Sequence, residues 1–334
     1  MANKKTRYFV TVACAILAIG LGTGLVASYL GLPVSVFSSA AGPEELQYVP
    51  ADAAVVAYAN VRDVMNSQFR KRFMGLEPSP NDKNQFEEKT GLNLEQDVDS
   101  VVAAVMPKDG MANNPAGAFL ILARGRYQAG RLEALALEHG ATASDYQGKR
   151  LITHDTDGKD NKETMAFGFV EADLVAFGSV QAVKASIDAR ASNRNIVSNN
   201  EMMQLVNEID NANAWAVGKF DAIAGKAGLP AEIASAMPAI SWFSAAGHIN
   251  GGVSGTFKAQ TIDEATAQNL RDVMRGFLAM AKMQSGNKPG MQQMVDSLVL
   301  SGEGTNVALS FSIPSEVLDL LEGMAKRRSG QIQQ

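Results

Sequence analysis

Cysteine is almost absent. The one cysteine, Cys14, lies in an apolar run near the N-terminus, so the rest of the 334-residue chain offers neither disulfide nor thiol chemistry. Histidine is scarce too: His139, His154 and His248 are the full set, and no two share a ligand spacing such as HxxxH. There is no GxSxG elbow, no GxxxxGKS or GxxxxGKT loop, no HExxH and no CxxC. The local signposts of catalysis are therefore missing, although a triad assembles from distant positions and leaves no local mark. An excess of basic residues is also lacking. Net charge is −5 and the pI about 5.4, which argues against nucleic acid as a partner.

What is present is a bulk of globular composition, with 46% hydrophobic and 19% charged residues, behind one long uncharged stretch. Tyr8 to Leu32 carries no charged side chain. A membrane span needs about 20 apolar residues, whereas a signal-peptide core runs to about 7–15. Lys4, Lys5 and Arg7 precede the run and Glu44 and Glu45 follow it, so the positive flank stays inside and the bulk is exported. The expected location is a bacterial inner membrane with the bulk of the chain periplasmic, in contact with the lipid bilayer through residues 8–32. Two alternatives use the same residues. Cleavage after Ala40 is disfavoured by the length of the run, and lipidation of Cys14 by the few residues before it. Gly20, Gly24 and Ser28 recur every fourth residue, a small-residue face suited to a membrane-protein partner or a second copy.

Beyond the run the pattern looks duplicated. Val56 to Val61 and Trp215 to Phe220 are strand-like and lead directly into helical spacing; Val61, Val64, Met65, Phe69 and Phe73 mark the first helix. Val101–Val105 corresponds to Phe243–Gly247, and Phe119–Ala123 to Val253–Phe257. Each half then has a helix, two strands and a final helix, with an extra strand near Arg150–His154. Ser198 with Glu201, and Thr261 with Glu264, have capping-box spacing. The organisation expected is a cytoplasmic N-terminus (1–7), the span (8–32), a stalk (33–47), a first unit (48–197), a linker helix (198–212), a second unit (213–328) and a tail (329–334). The fold class expected is α+β: an N-terminal transmembrane helix followed by two related two-layer sandwich units with mainly antiparallel sheets.

Two clusters deserve a chemical reading. Asp155, Asp157 and Asp160 flank Gly158 and offer several oxygens to a hard cation such as calcium. Lys159 breaks the EF-hand register, and the same residues suit a hairpin loop between Leu151–Thr153 and Met165–Phe167. Met280, Met283, Met291 and Met294 form two MxxM pairs whose thioethers suit Cu(I), but no histidine or cysteine lies nearby, and methionine commonly fills apolar gaps. No cofactor is indicated.

Tyr48-Val49-Pro50-Ala51-Asp52-Ala53-Ala54-Val55-Val56-Ala57-Tyr58, and Leu174 to Ser179 followed by Val183 to Asp188, carry a resemblance. In these segments the chain resembles uncharacterised bacterial envelope proteins built from tandem repeats of a domain of unknown function. That resemblance implies an exported duplicated domain and supplies no catalytic residues. The function expected is non-enzymatic: a membrane-anchored protein acting through protein–protein contacts, as an accessory subunit of a membrane complex. Alternatives are a module holding an apolar ligand between sheet and helices, and an enzyme of unknown class.

Overall fold

A strand that is apolar on both faces must be sealed above, below and along both edges. Two such runs, Val55–Tyr58 and Trp215–Val217, organise this molecule. The computed structural model describes residues 43–67, 87–107, 119–157, 162–209, 212–224, 239–249, 252–285 and 289–313. Its strands are β1 (Val55–Asn60), β2 (Val98–Val105), β3 (Phe119–Gly125), β4 (Thr142–Tyr146), β5 (Lys149–Asp157), β6 (Lys162–Glu171), β7 (Leu174–Ser179), β8 (Ala214–Lys219), β9 (Ile240–Ile249), β10 (Val253–Thr261), β11 (Val299–Ser301) and β12 (Asn306–Ile313). Its helices include α1 (Val61–Asn66), α2 (Leu94–Asp97), α3 (Ala129–Glu138), α4 (Val180–Ser192), α5 (Asn200–Asn207), α6 (Asp221–Ala224), α7 (Glu264–Ser285) and α8 (Pro289–Asp296). Short 3₁₀ turns occupy Glu44–Tyr48 and Ile196–Ser198.

The strands form one antiparallel 12-stranded sheet in the order β11-β12-β10-β9-β8-β1-β2-β3-β7-β6-β5-β4. This corrects the expectation of two sandwich units. The physical reason lies in the two apolar runs: β1 and β8 pair with each other, Val56 opposite Val217, so neither becomes an exposed edge. Counted outward from that pair, one side runs β1-β2-β3-β7-β6 and the other β8-β9-β10-β12-β11. The likeness of the halves is thus a shared strand order within one sheet. The junction is tight. A Cβ on Gly218 would lie 2.4 Å from the Ala54 carbonyl oxygen, so only glycine lets the two halves approach this closely.

Face A of the sheet carries Val56, Val102, Leu120, Leu122, Leu174, Ala176 and Val217, and all are sealed. The cover comes from α4 (Ala182, Val183, Ile187), α5 (Met202, Val206) and the N-terminal turn (Leu46, Tyr48). Glu44 to Gln47 of the expected stalk therefore belong to the fold, as does the expected linker helix. Face B carries Val55, Ala57, Ala216 and Phe243 at the centre. There α7 packs Ala267 and Leu270 on Ile240, Ala259 and Val307. On the other side Val61 of α1 and Leu94 of α2 pack on Val98, Val101 and Ile121.

Both capping boxes shift. Asn199, not Ser198, accepts from the Met202 amide at 3.1 Å, and Asp263 accepts from the Thr266 amide at 2.7 Å. Thr261 is still in β10 and donates its hydroxyl to the Asp263 carbonyl. Short carboxamide and carboxylate side chains next to the first turn take the cap. The expected transmembrane helix at 8–32, like Phe69 and Phe73, lies outside the described residues. Among the described helices none is long and apolar enough to cross a membrane.

Candidate functional site

Two places concentrate side-chain chemistry. The first is a charged cluster on face A beneath the N-terminal turn. Arg124, at the end of β3, donates from Nε to Glu45 Oε1 at 2.7 Å, from Nη1 to Glu171 Oε2 at 3.1 Å, and to Asp173 at 2.9 Å. Ser100 donates to the same Glu45 oxygen at 3.0 Å, and Tyr48 donates to Glu171 at 2.9 Å. Strand register makes this convergence. The regular β2–β3 ladder sets Ser100 opposite Arg124, and an irregularity between Phe169 and Glu171 sets Glu171 opposite Leu174. The carboxylates are matched by guanidinium, hydroxyl and phenol donors, so this cluster reads as a latch holding the N-terminal turn on the sheet.

Burial alone would lower the Arg124 pKa, but its hydrogen bonds to Glu45, Asp173 and Glu171 outweigh that and hold it above its ordinary value. Tyr58, stacked on Trp215 at 5.8 Å, is pushed up to about 12 by burial and then by Glu45 and Asp63, with the Asn60 hydrogen bond opposing. A raised tyrosine pKa leaves stability intact below the unfolded value near 10.0 and removes it as pH climbs from there towards about 12, because the unfolded chain ionises first. Unfolding free energy should therefore fall across that window, and Tyr58→Phe should make the fall shallower. An unchanged slope in the variant would contradict the assignment.

The second place is on face B. Along β6 and β7 the burial alternates: Ala166, Val170, Leu174 and Ala176 are sealed on face A, while Phe167, Phe169, Val175 and Phe177 are only half-buried on face B. An antiparallel sheet ordinarily puts polar residues on its wetter face. Here the rings form a row instead. Phe119 lies 6.0 Å from Phe177, Phe177 is directly opposite Phe167 in the ladder, Phe167 is 6.4 Å from Phe169, and Phe169 is 5.7 Å from Tyr127. Tyr127 donates its hydroxyl to the Ala123 carbonyl at 3.0 Å, and burial, then Asp99, Asp173 and Asp97, raise its pKa against the pull of Arg124. Helix α3 sits over β5 on this face, tied by Glu133 to Arg150 at 3.1 Å, and its Leu132, Leu135 and Ala136 are also only half-buried. The rings make an apolar row on this face, with α3 over the neighbouring β5.

The residues singled out from sequence are dispersed. Asp155 and Asp157 lie in β5, where Asp155 accepts from the Thr164 hydroxyl at 2.7 Å and Asp157 stands opposite Lys162. Asp160 lies outside the described residues, as do Gly20, Gly24 and Ser28. Among the described residues no group of three or more His, Cys, Asp or Glu side chains is placed to hold a metal ion. Met280 and Met283 are on α7, and Met291 and Met294 on α8. Met283 is 85% exposed, so its thioether is not drawn into a shared pocket. His139 ends α3, His154 is in β5 and His248 is in β9, seven strand positions from β5, or roughly 30 Å at the usual strand spacing. Neither Arg124 nor the ring row was singled out from sequence; alternating Phe167/Phe169 and Val175/Phe177 were the legible signal.

No protein-family model matches the chain. No curated protein matches it either. Among solved structures, crystal form I of TP0453 is similar at 11% identity over 85% of this chain and 99% of that one, with a TM-score of 0.42. Likeness at that level carries no argument about function.

Proposed function

We propose that this chain is a non-enzymatic binding protein, attached to a membrane through residues 8–32, whose sheet takes up an apolar ligand along the ring row of face B. The observation that supports it is the half-buried aromatic row on face B of β3, β6 and β7, where solvated polar residues would be ordinary. A photoreactive alkyl probe should label peptides spanning Phe167 to Phe177. In a Phe167→Ser/Phe169→Ser variant labelling there should fall about tenfold, equivalent to 1.4 kcal/mol. Undiminished labelling would sink the proposal.

Membrane attachment rests on the uncharged run with its basic flank. A reporter fused after Gln334 is expected to be active only on the exported side; activity of a cytoplasm-only reporter there would reject the orientation. The four-residue spacing of Gly20, Gly24 and Ser28 supports association with a membrane-protein partner at the same run.

A further inference from the structure

We propose that the outward face of α7 is a methionine-oxidation site, where peroxide-type oxidants convert Met280 and Met283 to sulfoxides while the fold stays intact. Met280 is 54% and Met283 85% exposed. Met106, Met202 and Met203 are buried in the face A core. Three residues apart on one helix, the two thioethers share a solvent-facing surface. The helix is fixed elsewhere: Ala267 and Leu270 hold its first half on the sheet, and Lys282 reaches Asp296 of α8 at 3.6 Å. Neither exposed thioether is in a core cluster among the described residues, so polarity gained there costs little burial.

In the reaction the sulfur lone pair attacks one oxygen of hydrogen peroxide and the O–O bond breaks. The second oxygen leaves as hydroxide, takes the proton from the oxygen now bound to sulfur, and becomes water. Sulfur loses two electrons and the peroxide gains them. The change makes a flexible apolar side chain polar and chiral, and methionine sulfoxide reductases are the class of enzyme that reverses it.

The test treats the folded full chain with hydrogen peroxide and follows each methionine by peptide mass spectrometry. Sulfoxide at Met280 and Met283 should accumulate about tenfold faster than at Met106, Met202 and Met203, in line with their exposure. Circular dichroism and the thermal midpoint should not move. A Met280→Leu/Met283→Leu variant, which conserves volume, should keep the same midpoint and keep Met106, Met202 and Met203 slow. Oxidation of the buried methionines at a comparable rate would overturn the proposal, as would a midpoint that falls while only Met280 and Met283 react.

Discussion

Replacing Arg124 by methionine is expected to destabilise the protein by about 3–5 kcal/mol. The cost is concentrated on one carboxylate. The Glu45 side chain is 5% exposed, and one of its oxygens accepts from both Arg124 and Ser100. Methionine fills much of the same space but leaves that carboxylate facing a single neutral hydroxyl. Glu171 and Asp173, at 35% and 55% exposure, would turn to water at little cost. The opposite truncation is milder. In Glu45→Gln the guanidinium keeps Glu171 and Asp173, so a loss of about 1–2 kcal/mol is expected. A Glu45→Gln/Arg124→Met double variant should be more stable than Arg124→Met alone, because no buried charge is left unmatched. Urea unfolding of the four proteins provides the check. Equal losses in the two single variants, or simple additivity in the double, would show that the pair is not acting as a buried latch.

The strands legible in the sequence are those whose neighbours leave a local imprint. Phe119 to Ala123 and Leu174 to Ser179 read as strands because at least one side of each is sealed. Thr142 to Tyr146 does not, because β4 is an edge strand, exposed over nearly its whole length, and needs no apolar alternation. The pairing of β1 with β8 joins residues on opposite sides of a long intervening segment, and nothing local specifies it. Continuous apolarity announces that both runs are deeply buried but not that they bury each other. The latch is hidden for a related reason. Glu45 lies in a short polar stretch that reads as a stalk, and its burial depends on Arg124, which the β2–β3 pairing brings to it from far along the chain. Half of the ring row is visible as period-2 spacing in β6 and β7. How far those rings are buried depends on tertiary packing over face B, which spacing does not encode.

Phe243→Ala should cost about 3–5 kcal/mol, and the shape of the unfolding curve matters as much as the size of the loss. Phe243 is 1% exposed and lies on β9, opposite Gly218 on one side and Ala259 on the other. Its ring is edge-on to Phe220 at 6.3 Å and stacked on Phe257 at 6.2 Å. Val55, Ala57 and Ala216 complete the cluster, so the side chain bridges the strands on both sides of the β1–β8 junction. Alanine removes the ring and leaves a cavity that two neighbouring aromatics fill only by leaving their own positions. In a single continuous sheet this damage cannot be confined to one half. Each half uses the other to seal an apolar strand edge, so losing the second half exposes β1 along its length. Thermal and urea unfolding should therefore show one cooperative transition in both proteins, displaced as a whole in the variant. A split curve, with one part unmoved from the parent midpoint, would mean that the halves fold separately and that the β1–β8 pairing contributes little.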